Sequence, residues 1–207
     1  MKINKDTKIY GSFSSNPGNN GCTFFNNAFT ENNIDAIYKS FYSTNAKKLI
    51  KSVKHLNFSG FALSMPLKID IMKYLDDIDE SALKIGAVNT VINQNNKYVG
   101  YNTDWIGVKQ YFELSIPNDN HITILGNGGF SKAVQFACKK LNKTYDIITR
   151  DNWYKIPELK DVIFNATPEN IESNSRLIDG RPFTITGKII AELQAKEQFL
   201  LYTGIKI

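Results

Sequence analysis

The sequence predicts an α/β fold, and three features lead to that class. Strand-like runs rich in β-branched and aromatic residues alternate with amphipathic helix-like stretches along most of the chain. The run at residues 121–125 leads through the glycine-rich segment 126–129 into a helix pattern, as in strand–turn–helix units. Between the two halves, residues 86–104 predict a β-hairpin with an Asn-rich tip and polar side chains at its ends.

Composition excludes several classes of protein. The chain has 207 residues, enough for one large or two small domains, and its 42% apolar and 22% charged residues are typical of globular proteins. The net charge of +5 comes from scattered lysines, so we expect no nucleic-acid partner. The cysteines and histidines lack ligand spacing, which predicts neither a disulfide framework nor a metal site.

No apolar run approaches membrane-spanning length, and the first residues lack the apolar core of a signal peptide. We therefore expect no membrane partner and a cytoplasmic location. The expected oligomeric state is a monomer or homodimer.

The first half of the chain predicts alternating strands and helices. The strands are expected at residues 8–10, 36–41 and 58–63, and the helices at about 23–32 and 45–56. The inward-facing residues are expected to be Phe24, Phe25, Ala28 and Phe29 in the first helix and Leu49, Ile50 and Val53 in the second.

Polar side chains follow the third strand and flank the hairpin. Ser64 and Lys68 surround Pro66, which suits the first position of a helix. Open α/β sheets bind ligands at such strand ends, so Lys68 is either a ligand-binding cation or an ordinary surface lysine. Asn89 and Asp104 either cap turns or belong to a polar cluster for a small polyhydroxylated ligand. Asp104 is also predicted to be the N-cap of a helix that runs to about residue 114.

The glycine-rich segment predicts a phosphate site. Gly126, Gly128 and Gly129 allow a tight turn and the close approach of a pyrophosphate to the helix start, while Ser131 takes the usual third-glycine place. The alternative is a purely structural turn.

Two further strand ends carry candidate cofactor residues. Arg150 follows the strand at 145–149, which favours a 2′-phosphate and hence NADP, whereas Asp151 beside it suits NAD. Asn165 and Thr167 follow the strand at 162–164. Beyond them, a strand is expected at residues 182–185 and a helix at about 188–202. The apolar side of that helix comprises Ile189, Ile190, Leu193 and Leu200.

Taken in order, these motifs resemble those of the shikimate dehydrogenase family. Residues 64–68 (SMPLK) resemble its Thr-hydrophobic-Pro-x-Lys motif, 86–90 (GAVNT) and 102–104 (NTD) its central signatures, 126–129 (GNGG) with Ala133 its cofactor loop, 165–168 (NATP) its nicotinamide-side loop, and 194–199 (QAKEQF) its closing motif.

The resemblance implies an amino-terminal substrate domain with a mixed sheet and a shortened Rossmann-like NADP-binding domain. The implied ranges are 1–115 for the substrate domain, completed by the final helix in 187–207, and 116–186 for the cofactor domain. The implied reaction is the NADP-dependent interconversion of 3-dehydroshikimate and shikimate, a step of aromatic amino acid biosynthesis through chorismate.

Specific roles follow from the same resemblance. Lys68 and Asp104 are the implied catalytic pair, because a ketone gains negative charge as it accepts hydride and a nearby ammonium stabilises and protonates its oxygen. A neighbouring carboxylate keeps such a lysine charged. The implied substrate contacts are Ser64, Asn89, Asp104, Gln194 and Asn19, and the implied cofactor contacts are Gly126, Gly128, Gly129, Arg150, Asn165 and Thr167.

The sequence departs from the family pattern at two places. Asn19 and Gly21 occupy the positions of a Ser-x-Ser pair that holds the substrate carboxylate in the family, and the candidates to substitute for it are Asn19, Asn20 or the pair Ser14 and Ser15. A glycine at the second serine goes with quinate use in plant relatives, which makes quinate an alternative substrate. The cofactor domain is also short, so a non-catalytic ligand-binding protein of this fold is the second hypothesis.

Overall fold

The computed structural model describes residues 3–207 and divides into two compact units. The first unit comprises the chain up to Asn102 together with Gln198–Ile207, and the second comprises Thr103–Glu197. Each unit combines helices with a β-sheet, which confirms the predicted α/β class. None of the helices in the described range is long and apolar enough to cross a membrane.

The first unit is built on a six-stranded mixed sheet. Its elements are β1 (Lys8–Ser14), α1 (Asn20–Glu31), β2 (Ala36–Tyr42), α2 (Ala46–His55), β3 (Gly60–Leu63), α3 (Leu67–Asp70), a 3₁₀ turn (Ile71–Tyr74), β4 (Asp77–Ile78), α4 (Glu80–Ile85), β5 (Thr90–Gln94) and β6 (Lys97–Tyr101). The strand order is β2-β1-β3-β5-β6-β4, with β1, β2 and β3 parallel and β5 antiparallel to both of its neighbours. The prediction of a mixed sheet is confirmed.

The predicted hairpin is the pair β5–β6, and its Asn-rich tip is confirmed. Gln94 pairs with Lys97, which leaves Asn95 and Asn96 as a two-residue turn with φ of 53° and 67°. Two-residue turns of type I′ match the twist of their strands and need positive φ at both positions, which asparagine adopts more readily than most residues.

The core of the first unit lies between the sheet and helices α1 and α2. Leu49, Ile50 and Val53 are buried on α2, as predicted from their spacing. Helix α1 buries Phe25, Ala28 and Phe29, but Phe24 is only half-buried, because adjacent residues point about 100° apart around a helix.

The second unit is built on a parallel four-stranded sheet. Its elements are α5 (Asp104–Ser115), β7 (His121–Leu125), α6 (Gly129–Lys140), β8 (Thr144–Ile148), a 3₁₀ segment (Arg150–Glu158), β9 (Val162–Asn165), β10 (Leu177–Asp179) and α7 (Ile185–Thr203), whose last residues belong to the first unit. The order β10-β9-β7-β8 places the first strand of this unit between the next two, as in Rossmann-like folds.

The strand expected at residues 182–185 is wrong, because the fourth strand is β10, at Leu177–Asp179. The hydroxyls of Thr184 and Thr186 both donate to the carbonyl of Asp179, and the Thr186 hydroxyl accepts from the Asp179 N–H. These bonds end the strand and start α7 at Ile185, three residues earlier than expected.

The expected apolar side of α7 is also partly wrong. Ile189 is 45% exposed, whereas Ile190, the next residue, is buried.

Candidate functional site

The first unit brings Ser64, Lys68 and Asn89 together where β3 ends. The N–H of Leu63 donates to the carbonyl of Asn89 at 2.7 Å, and the N–H of Val88 donates to the carbonyl of Lys68 at 2.8 Å. Three residues predicted to contact substrate therefore lie on backbone segments that are tied directly to one another. Lys68 itself is half-buried at the start of α3, and Ser64 is exposed.

A buried hydrogen-bond relay orients the Asn89 amide. Nε2 of Gln198 donates to Oγ1 of Thr90 at 2.8 Å, and that hydroxyl donates to Oδ1 of Asn89 at 2.8 Å. All three residues are at most 3% exposed. Because the Thr90 hydroxyl has a single proton, Oδ1 of Asn89 is fixed as the acceptor towards Thr90, and Nδ2 is the donor end of the amide.

Thr90 and Gln198 were not assigned roles from the sequence. The available signal was the spacing of Gln198 from Gln194, since residues four apart share one face of a helix. That signal does not show which strand the face meets.

The loop after β1 is tied to the turn that carries Ser64. Both the N–H and the hydroxyl of Ser15 donate to the carbonyl of Met65, at 3.1 and 3.2 Å. The only hydroxyl proton of Ser15 is thus engaged within the protein. Asn19 is a candidate to replace the family's Ser-x-Ser pair. It lies exposed at the start of α1, and its side chain makes no cap hydrogen bond.

Asp104 is not the N-cap of α5, so that prediction is wrong. Thr103 holds the N-cap position, because its carbonyl accepts the first helical hydrogen bonds, from the N–H groups of Ile106 and Gly107. Asp104 is the first residue of the helix and is 6% exposed. The Thr103 hydroxyl donates to Oε1 of Gln194 at 3.0 Å.

A backbone approach between α5 and α7 supports the contact between Thr103 and Gln194. A Cβ atom on Gly107 would lie 2.8 Å from the main-chain nitrogen of Gln194 and 2.9 Å from the carbonyl oxygen of Ile190. Real side chains essentially never reach such distances, so glycine is required for the two helices to meet here.

In the second unit, the glycine turn lies at the carboxyl end of β7 and suits a pyrophosphate. Gly126 has φ of +95°, which favours glycine, and the Ser131 hydroxyl donates to its carbonyl at 2.7 Å. Nothing lies within 4 Å of a Cβ placed on Gly128, so there is space beside the turn. Helix α6 starts at Gly129, and its free N–H groups favour an anion.

The ends of β7, β8 and β9 meet around this turn. The N–H of Gly126 donates to the carbonyl of Ile148 at 2.8 Å, and the N–H of Ala166 donates to the carbonyl of Leu125 at 3.1 Å. Arg150 and Asn165 therefore lie beside the glycine turn along one edge of the sheet. Asn165 is fully buried, and its Oδ1 accepts from the hydroxyl of Thr167 at 2.7 Å.

One neighbour of Arg150 was not expected from the sequence. Its guanidinium donates to Oε1 of Glu169 at 2.9 Å. The two residues belong to loops after different strands, so only the order of strands in the sheet could have indicated the contact.

Cys138, Arg181 and Asp179 lie away from the glycine turn. Burial raises the pKa of Cys138 to about 12, which keeps its thiol protonated near neutral pH. Hydrogen bonds to Asp179 raise the pKa of the Arg181 guanidinium. Among residues 3–207, no group of three His, Cys, Asp or Glu side chains could hold a metal ion.

The second unit has the fold and strand-end residues of a Rossmann-like nucleotide-binding unit, next in the chain to a mixed-sheet unit with a polar cluster. Residues 21–91 match the family model of the shikimate dehydrogenase substrate binding domain. The chain is 34% identical over 196 residues to the NADP(+) shikimate dehydrogenase of Pyrococcus furiosus, covering 85% of this chain and 72% of the relative. The chain belongs to the shikimate dehydrogenase family, an oxidoreductase family, as its motifs predicted.

Two further comparisons agree. A shikimate dehydrogenase-like protein of Haemophilus influenzae is 40% identical over 138 residues, which cover 66% of this chain and 51% of that relative. The solved structure of a shikimate 5-dehydrogenase-like protein superposes with a TM-score of 0.83 at 29% identity, covering 100% of this chain and 95% of the other. In sequence, the chain thus spans about half the length of the Haemophilus relative.

Proposed function

We propose that this chain catalyses the NADP-dependent, reversible reduction of 3-dehydroshikimate to shikimate. The observation that carries the proposal is the grouping of Ser64, Lys68 and the oriented Asn89 amide at the end of β3. An ammonium group and an amide donor on adjacent backbone segments suit a ligand with several oxygens. The named activity of the Pyrococcus furiosus relative supports the same reaction.

Each residue has a separate role in the proposed reaction. Lys68 donates a proton from Nζ to the substrate oxygen as that oxygen gains negative charge, and takes it back in the oxidation direction. Asp104 serves the same proton transfer, and it also accepts from a substrate hydroxyl. Asn89 and Gln194 hold hydroxyl groups, Ser64 contacts the substrate, and Asn19 contributes an amide to its carboxylate.

The residues of the second unit fit NADP. The open glycine turn accepts the pyrophosphate, Arg150 the 2′-phosphate, and Asn165 and Thr167 shape the loop on the nicotinamide side. When bound, NADPH supplies the hydride. We propose that residues 116–186 hold this cofactor and that the amino-terminal part of the chain, completed by the last helix, holds the substrate.

A steady-state assay tests the proposal directly. Purified protein with shikimate and NADP is expected to produce reduced nicotinamide, followed by its absorbance. Quinate is tested as the alternative substrate, because Gly21 replaces a serine of the family pattern. NAD is tested as the alternative cofactor, because the acidic residue Asp151 follows Arg150. Binding of shikimate without turnover in any arm would instead establish a non-catalytic ligand-binding protein. The cytoplasmic location and the monomeric or homodimeric state stay predictions.

The relay to Asn89 makes Gln198 a positioning residue. Gln198→Leu is expected to raise KM for shikimate up to about 10-fold, the value of one net hydrogen bond, with a smaller change in kcat. Gln94→Leu, at the exposed end of the hairpin, is the matched control and should leave both constants unchanged. Thr90→Ser, which keeps the hydroxyl, should retain most of the affinity. If Gln198→Leu lowered kcat and left KM unchanged, the positioning role of Gln198 would be contradicted.

A further inference from the structure

A carboxylate lies against Arg150 in the second unit. Glu169 lies in the loop after β9, and its Oε1 accepts from the Arg150 guanidinium at 2.9 Å. Arg150 is the residue that the proposed function, on which this inference rests, assigns to the 2′-phosphate of NADP.

The backbone of Glu169 is held by a buried and a half-buried side chain. Its N–H donates to Oγ1 of Thr167 at 3.2 Å, and its carbonyl accepts from Nδ2 of Asn165 at 2.9 Å. Asn165 is fully buried and also accepts from the Thr167 hydroxyl. The carboxylate of Glu169 therefore extends from a fixed backbone position, although the side chain is 44% exposed.

The residue after Glu169 is held as well. Arg181 donates through Nε to both carboxylate oxygens of Asp179, at 3.0 Å, and through its terminal nitrogen to Oδ1 of Asn170 at 2.9 Å. Arg181 and Asp179 are about nine-tenths buried. Because Asn170 is the neighbour of Glu169, the loop holds Glu169 at the position from which it meets Arg150.

Charge then decides the effect on the cofactor. A phosphate monoester carries about 1.5 to 2 negative charges near pH 7 and competes for the same guanidinium donors as a carboxylate. Glu169 occupies one of the hydrogen-bond donors of the Arg150 guanidinium. Asp151, the residue after Arg150, adds a second carboxylate. NAD carries no 2′-phosphate, so neither carboxylate repels it at this position.

We propose that Glu169 is a specificity-determining residue that competes with the 2′-phosphate for Arg150 and so narrows the preference for NADP over NAD. Neutralising Glu169 should therefore strengthen binding of any adenosine nucleotide that bears a 2′-phosphate and leave the nucleotide without it unaffected.

Calorimetric titration of the full chain with two nucleotides tests the inference. Adenosine 2′,5′-bisphosphate and adenosine 5′-monophosphate differ only in the 2′-phosphate. Glu169→Gln is expected to lower the Kd of the bisphosphate about 5-fold, which corresponds to the upper value for an exposed ion pair. The Kd of the monophosphate should not change. Glu172→Gln, an exposed glutamate of the same loop, is the matched control and should change neither.

Adding Arg150→Gln to Glu169→Gln is expected to remove the gain, because the competition acts on that guanidinium. An unchanged ratio of the two affinities in Glu169→Gln, or an equal gain in Glu172→Gln, would overturn the role of Glu169 and leave the proposed function standing. If neither nucleotide binds to wild type or to Glu169→Gln, the nucleotide site itself is refuted, and the inference fails with it.

Discussion

Replacing Lys68 by alanine is expected to lower kcat for shikimate oxidation by about three orders of magnitude, within the usual contribution of a general acid or base. The loss follows because the substrate hydroxyl must give up its proton as hydride leaves its carbon, and the variant has no amine at position 68 to accept that proton. The side chain is half-buried, but the backbone contacts of residue 68 remain in the variant, since Val88 bonds to its carbonyl. The fold should therefore persist, as checked by circular dichroism and the thermal midpoint.

Lys73→Ala is the matched control for Lys68→Ala. Lys73 lies five residues further on, is 68% exposed, and pairs with Asp70 at the surface. Its loss should change kcat by less than about 2-fold, since exposed ion pairs contribute little. Equal activity of the two variants, both folded, would show that Lys68 carries no proton transfer.

Replacing Phe199 by alanine is expected to lower the free energy of unfolding of the first unit by about 3–5 kcal/mol, as for other buried phenylalanines. Phe199 is fully buried, and its ring lies 5.7 Å from that of Phe29 on α1. Three residues later, Tyr202 packs on Tyr10 of β1 at 4.7 Å. The end of α7 thus completes the core of this unit, and the cavity in the variant would lie inside it.

Phe183→Ala provides the comparison for Phe199→Ala. Phe183 is 69% exposed and contacts Arg181, so its loss should cost no more than about 1 kcal/mol. Denaturant unfolding is followed by far-UV circular dichroism and by fluorescence of Trp105 and Trp153, which both belong to the second unit. The dichroism transition should shift more than the fluorescence transition. Equal stability of the two variants would contradict the assigned role of Phe199.

Local patterns were sufficient for much of the fold and for half of the candidate site. Residues adjacent in sequence determine the hairpin tip at Asn95 and Asn96 and the strand–turn–helix unit at Gly126. Backbone geometry limits which residues serve there, so composition alone indicates them. Ser64 and Lys68 were predicted at the end of one strand, whereas their grouping with Asn89 was implied only by the family resemblance.

The elements that sequence reasoning missed depend on distant contacts. Gln198 meets Thr90 across 108 positions, and Arg150 meets Glu169 across 19, so no local pattern encodes either pair. The strand expected at 182–185 was wrong for a related reason. Side-chain hydroxyls that bond Asp179 from a later turn decide where β10 ends.

The same hydroxyls have a consequence for the behaviour of the protein at high concentration. β10 is an edge strand, and an unpaired edge is a template on which another chain can add as a further strand. Thr184 and Thr186 occupy both main-chain groups of Asp179, and β10 is only three residues long. An incoming strand would find few hydrogen bonds there, so this edge should resist aggregation through intermolecular β-pairing.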